Sequence, residues 1–282
     1  MSQAFITGGS GFIGRALIRR LVAEGHTVRA LVRSAASADK VAALGAQPVQ
    51  GELTGPAGWQ DAVAGSDVLF HLAAETDITA DRERHERVTV GGTRAAVEAA
   101  RTAGVATFVH CGSEAALLAG EPLLEVDETA PLRPDSEAAY CAAKAKSEQV
   151  VLDAGAPGFT TVSVRPRFVW GPDSSLTEGL AAAAKAGQFA WIDGGRHTTD
   201  VTYVDNAVEG LILGGGTVGP VRRTSSPTSI GSSCGTSWRP SSRSTASTRP
   251  SPTWTPRPRP MWCRCPPGGS SDSRARCAPT RP

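Results

Sequence analysis

Thr7-Gly8-Gly9-Ser10-Gly11-Phe12-Ile13-Gly14 is the stretch that decides the fold class. It follows Ala4-Phe5-Ile6, a short apolar run that reads as a buried strand. It leads into Arg15-Ala16-Leu17-Ile18-Arg19-Arg20-Leu21-Val22, whose apolar residues recur at helical spacing. A strand, a glycine turn and a helix in that order make an anion site. Gly8 permits the tight turn, Gly11 lets a phosphate approach the backbone, and Gly14 lets helix and strand pack closely. The helix start adds free N–H groups and a partial positive charge. A glycine trio alone is a weak signal. In this setting it predicts that Thr7 to Gly14 cradle the pyrophosphate of a dinucleotide.

Working outward, strands and helices alternate. Strands are expected at 26–32, 46–50, 67–72, 107–111 and 161–164, with helices at 93–103 and 138–152. This is the pattern of a parallel sheet with crossover helices, an α/β doubly wound fold. The expected organisation is a dinucleotide-binding domain over 1–165, part of a substrate-binding lobe over 166–220, and a tail over 221–282.

The 282 residues contain no apolar run near the roughly 20 that a membrane span requires. The first strand begins almost at once, leaving no room for a signal peptide, so the expectation is a soluble cytoplasmic protein without a membrane partner. The near-neutral net charge conceals two chemistries. Residues 1–220 carry 18 Lys and Arg against 26 Asp and Glu, a net of −8. Residues 221–282 carry 11 Arg, no Lys and the single acid Asp272, a net of +10.

That tail also holds four of the six cysteines and is built mostly from Ser, Pro, Thr and Arg. Such a composition cannot offset its ordering entropy, so disorder is one reading. A nucleic-acid partner is not expected, because no helical face presents the arginines. Cys263-Arg264-Cys265 lacks zinc-site spacing, and the five histidines are scattered, so no metal is expected. The remaining reading is a GC-rich coding sequence translated out of frame. Back-translating Arg223 to Ile230 and reading two bases later allows Tyr-Phe-Val-Thr-Asp-Val-Asp, a plausible strand and turn. Residues 235–242 likewise allow Asp-Phe-Val-Ala-Ala-Leu-Leu, a plausible helix.

Cofactor choice is written at the end of the second strand, where an acid holds the ribose 2′-hydroxyl of NAD and an arginine accommodates the 2′-phosphate of NADP. Here Arg33-Ser34 stands there and no acid occurs between residues 25 and 38. NADP(H) is therefore favoured, with NAD(H) as the alternative. The chemistry points to Ser113, Tyr140 and Lys144. Tyr140 and Lys144 are four apart on a predicted helix, so phenol and ammonium share a face. A cation beside a phenol favours the phenolate, which suits Tyr140 to acid/base work. Ser113, just past the fifth strand, can donate to the same substrate oxygen. The run Asp81-Arg82-Glu83-Arg84-His85-Glu86-Arg87 reads as a solvated helical face.

Taken in order, these motifs resemble the extended short-chain dehydrogenase/reductases of the epimerase/dehydratase type. The resemblance rests on Thr7 to Gly14, His71-Leu72-Ala73-Ala74, Ser113, Tyr140 to Lys144, Arg165-Pro166-Arg167-Phe168-Val169-Trp170-Gly171-Pro172, and Val201-Thr202-Tyr203-Val204-Asp205-Asn206. It implies a Rossmann-type fold and further cofactor contacts. Glu52 and Leu53 should lie against adenine, Ala73 and Ala74 along the adenosine ribose and phosphates, and Pro166 to Val169 beside the nicotinamide. Tyr140 and Lys144 should face the nicotinamide ribose.

Two departures stand out. Thr89 occupies the place of an asparagine of the proton relay, and Phe168 that of an asparagine common in nucleotide-sugar enzymes. Phe168, Trp170 and Trp191 suggest an apolar substrate pocket. The nearest branch is that of 3β-hydroxysteroid dehydrogenases and dihydroflavonol reductases. It implies hydride transfer between cofactor and a secondary alcohol or ketone on a hydrophobic small molecule, in a homodimer. A nucleotide-sugar epimerase or dehydratase, or a cofactor-binding sensor without turnover, are the alternatives.

Overall fold

Seven parallel strands run through the centre of the protein: β1 (Gln3–Thr7), β2 (Thr27–Val32), β3 (Gln47–Gln50), β4 (Val68–His71), β5 (Thr107–Cys111), β6 (Thr160–Val164) and β9 (Thr228–Ile230). A computed structural model describes residues 2–55, 58–124, 126–197, 199–216 and 228–230. The strand order is β3-β2-β1-β4-β5-β6-β9, and every pairing is parallel. Strand order reverses between β1 and β4, which opens a crevice at their carboxyl ends, where this class of fold binds ligands. Sheets buried on both faces need near-continuous apolar strands. All four residues of β4 are buried accordingly, as are Ala4 to Thr7.

One face of the sheet is covered by α1 (Phe12–Ala23), α2 (Ala35–Ala42) and α7 (Val204–Gly214). Leu17, Ile18 and Leu21 of α1 meet Val208, Leu211 and Ile212 of α7 in one apolar cluster. The lobe segment 166–220 thus contributes α7 to the main core. The opposite face carries α4 (Gly92–Thr102) and α5 (Ala139–Asp153), with Trp59 and Phe159 filling its edges. In α5, Ala142, Ala143, Lys144, Ala145, Ser147, Glu148 and Val151 are all buried. These small and polar residues let the helix lie close to the sheet.

Before α4 the chain forms a single turn, α3 (Arg82–His85), and then a π-helical segment over Glu86–Gly91. Such bulges inside helices are rare and concentrate at functional sites. The lobe holds α6 (Ser175–Lys185), which buries no residue, and a two-stranded sheet of β7 (Val169–Trp170) and β8 (Thr202–Tyr203). The α/β doubly wound class expected from the sequence is the observed one. Of the tail, Thr228–Ile230 pair with β6 as an edge strand; the expectations for the rest of 221–282 lie outside the described residues.

Candidate active site

The glycine turn joins β1 to α1 as the sequence requires. Gly8 has φ +74, and a Cβ there would lie 2.7 Å from the Ala73 amide nitrogen. A Cβ on Gly14 would collide with the Gly8 carbonyl and lie 2.8 Å from the Gly9 Cα. Gly11 is the N-cap of α1; no side chain caps this end and no acid sits in the first turn. The first-turn N–H groups therefore point into an open, positively polarised cradle suited to a pyrophosphate. Ser10 is half-buried and Gly11 exposed at its rim, with Phe12 and Ile13 half-buried behind them, whereas Gly9 is packed beneath against Ile18 and Ala30.

Thr7 is buried, and its side chain serves the scaffold. Its hydroxyl lies 2.7 Å from His71 Nδ1, and His71 Nε2 lies 3.0 Å from Thr93 Oγ1. Thr93 donates its only hydroxyl proton to the Thr89 carbonyl at 2.7 Å, so His71 must donate from Nε2 and accept at Nδ1. The imidazole is neutral. Burial first, and the Lys144 charge second, lower its pKa to about 3. His110, stacked on it at 5.7 Å, is held well below the ordinary range by burial, Lys144 and His71. This chain of bonds ties β1 and β4 to the π-helical turn bearing Thr89, whose own hydroxyl accepts from the Glu75 amide at 3.0 Å.

Lys144 projects from α5 toward the carboxyl end of β5. It is 5 % exposed, and its one hydrogen bond among the described residues goes to the Cys111 carbonyl at 3.3 Å. An ammonium has three donors, so this buried cation retains capacity for a polar ligand such as a ribose diol. Tyr140 sits one turn earlier, half-buried. Ser113 caps the 3-10 turn Glu114–Leu117, which packs along α5. Lys144 reaches the end of β5 through the Cys111 carbonyl, and Ser113 follows two residues after that carbonyl. The Ser113 hydroxyl donates to Glu114 Oε2 at 2.9 Å and accepts from the Ala115 amide at 3.2 Å.

Sequence reading missed several neighbours. Glu114 had no motif to mark it. His85, placed on a solvated face, is fully buried with its ring edge-on to Tyr140 at 5.8 Å. Its burial overturns that expectation for His85. Leu53, expected against adenine, is buried with its side chain packed on Gly92.

At the other end of the crevice, Arg33, Ser34, Ser37, Gln50, Gly51 and Glu52 line a cavity of about 450 Å³. Ser34 caps α2 by accepting from the Ser37 amide at 3.2 Å, and Gln50 donates to the Arg33 carbonyl at 3.0 Å. Glu52 therefore shares a cavity with Arg33, putting an acid where the sequence alone showed none. Ala73 and Ala74 are half-buried in the loop after β4. A cleft of about 850 Å³ opens elsewhere, beside Leu53, Arg82 and Arg94; none of the three expected catalytic residues lines it.

In the segment expected beside the nicotinamide, Pro166 is buried, Val169 half-buried, and Phe168 exposed. Phe168 adopts φ +40. Asparagine tolerates that region far better than phenylalanine, which explains why the resembling enzymes place asparagine here and assigns Phe168 a backbone cost of about 1–3 kcal/mol.

A family sequence profile matches residues 5–218. The chain belongs to the 3-beta hydroxysteroid dehydrogenase/isomerase family. Among family relatives it is 48 % identical over 212 residues to a 4-hydroxy-2-methyl-3-oxo-4-farnesyl-3,4-dihydroquinoline-1-oxide ketoreductase of Stigmatella aurantiaca, covering 75 % of this chain and 64 % of the relative. It is 35 % identical over 209 residues to a 2-alkyl-3-oxoalkanoate reductase of Stenotrophomonas maltophilia, covering 73 % and 62 %. The chain thus spans just under two-thirds of these relatives' lengths. A solved UDP-N-acetylglucosamine 4-epimerase of Methanobrevibacter ruminantium shares the fold, with a TM-score of 0.67 at 18 % identity over 82 % of this chain and 76 % of that one. No helix among the described residues is long and apolar enough to cross a membrane.

Proposed function

We propose that the protein is an NADP(H)-dependent ketone reductase whose substrate carries an alkyl group on the carbon next to the carbonyl. The observation that carries this is the 5 % exposed Lys144, one helical turn from Tyr140 and hydrogen-bonded only to the carbonyl of Cys111. Lys144 holds the ribose diol on the nicotinamide side. Ser113 turns its hydroxyl from Glu114 to the substrate oxygen, and Tyr140 donates the proton that this oxygen gains. NADPH supplies the hydride that reduces the carbonyl carbon. Arg33, beside the Ser34-capped start of α2, accommodates the 2′-phosphate, and Glu52 in the same cavity would favour the free ribose of NADH instead.

The substrate class comes from the two relatives, whose named substrates both place a ketone beside an alkylated carbon. Phe168 and Trp170 are each 42 % exposed and Trp191 73 %, and exposed aromatic rings of this kind suit such chains. Two probes test this: ethyl 2-methyl-3-oxobutanoate and its 2-hexyl analogue, followed by loss of NADPH absorbance. Turnover of both, faster with the longer chain, is expected. A nucleotide-sugar epimerase would instead retain NAD through purification and leave both esters untouched, which overturns the proposal.

We also infer that residues 221–282 are an out-of-frame translation rather than a native tail. The family match ends at residue 218, where the charge and composition change. Just over a third of each relative's length lies outside the match. Sequencing the coding DNA around Pro220 decides it. A single insertion or deletion should restore a family-like frame, and its absence would remove the inference.

A further inference from the structure

Beneath the catalytic residues lies an ion pair that no step described so far uses. Glu148 is 0 % and Arg165 8 % exposed, and the guanidinium binds Glu148 Oε1 through Nε at 2.8 Å and Nη2 at 2.7 Å. Both guanidinium nitrogens converge on one carboxylate oxygen. The other, Oε2, is buried with no partner, as is the hydroxyl of Ser163. These two atoms flank Gly112: a Cβ there would stand 2.9 Å from Ser163 Oγ and 3.2 Å from Glu148 Oε2.

The position of this pair is what matters. Glu148 follows Lys144 by four residues and Tyr140 by eight, so all three share one face of α5. Arg165 immediately follows β6 and precedes Pro166, the first residue of the nicotinamide-flanking segment. Lys144 holds the Cys111 carbonyl while Glu148 Oε2 stands beside Gly112 where it leaves little room for a Cβ, so both line the backbone that leads into Ser113. A buried ion pair gives little net stability, because desolvation offsets most of its attraction, and an apolar pair of the same volume often does as well. Its retention here calls for a positional role.

We propose that Glu148 and Arg165 are positioning residues that set the gap between Tyr140 and Lys144 on α5 and the segment Pro166–Val169, and thereby seat the nicotinamide end of the cofactor. This rests on the cofactor-binding reading above. The adenosine end, held by the α1 cradle and the Arg33 cavity, is independent of the pair.

Calorimetric titration with two probes separates the ends: NADPH, which needs both, and adenosine 2′,5′-bisphosphate, which needs only one. In Glu148→Gln the shape is kept but the Arg165 charge is left unbalanced. NADPH should bind about tenfold more weakly, while the bisphosphate stays within about twofold of wild type. The bound dihydronicotinamide should also lose its enhanced emission. Should Glu148→Gln not fold, the double variant Glu148→Met/Arg165→Met removes both charges together and is expected to fold with the same selective loss. Equal weakening of both probes, no weakening of either, or normal NADPH binding by the folded double variant would overturn the positioning role. Failure of the wild-type chain to bind either probe would strike the cofactor reading itself, and this inference with it.

Discussion

Acidification from pH 7.5 to 5.5 is expected to destabilise this protein through its two stacked histidines. His71 and His110 are 0 % and 2 % exposed, and both are held neutral, His71 with a pKa of about 3. Unfolding frees each imidazole to titrate near 6.5. Because the folded values are depressed, the unfolded chain binds more protons in this window. The stabilisation is therefore complete above about pH 6.5 and is lost as pH falls toward the folded pKa. Between pH 7.5 and 5.5 the loss is about 1.4 kcal/mol for each ring, or about 2.7 kcal/mol together. Urea unfolding followed by tryptophan emission measures it. His110 has no hydrogen-bond partner on either ring nitrogen, so His110→Phe sacrifices no bond. That variant should match wild type at pH 7.5 and lose about 1.4 kcal/mol less on acidification. An identical loss in wild type and variant would show that His110 is protonated in the folded protein, and would refute the reasoning.

Other substitutions probe the site piece by piece. Tyr140→Phe should cut turnover of the alkylated keto esters at least about 100-fold while leaving the calorimetric affinity for NADPH within about threefold. Gly14→Ala places a methyl group on the Gly8 carbonyl, so it should abolish NADPH binding at protein concentrations where wild type saturates. Thr93→Val strands the His71 Nε2 proton and should lower urea stability by about 1–3 kcal/mol. Phe168→Asn fits the φ +40 backbone and should raise the melting temperature, with weaker binding of the 2-hexyl ester as its functional cost.

Much of this architecture was legible because it is local. The glycine turn, the apolar strands and the Tyr140–Lys144 spacing each declare themselves within a few residues. Expected strand boundaries fall within two residues of those observed for β1 to β6. What escaped depends on partners distant in the chain. Arg165 and Glu148 read as ordinary charges until α5 is laid against β6. Glu52 joins Arg33 only because β3 pairs with β2. His85 looked solvated because it sits within the charged run Asp81–Arg87, and its burial shows only once Tyr140 of α5 is beside it. The β7–β8 pair consists of two residues from each strand, too short for any periodicity.

The central claim is a working NADP(H) site, and fluorescence titration of the 282-residue chain with NADPH and NADH, in wild type and Arg33→Ala, tests it most directly. Saturable binding is predicted, with NADPH favoured about tenfold over NADH in wild type and that preference erased in Arg33→Ala while NADH affinity is retained. No saturable binding of either nucleotide, or tighter binding of NADH by the wild-type protein, would contradict it.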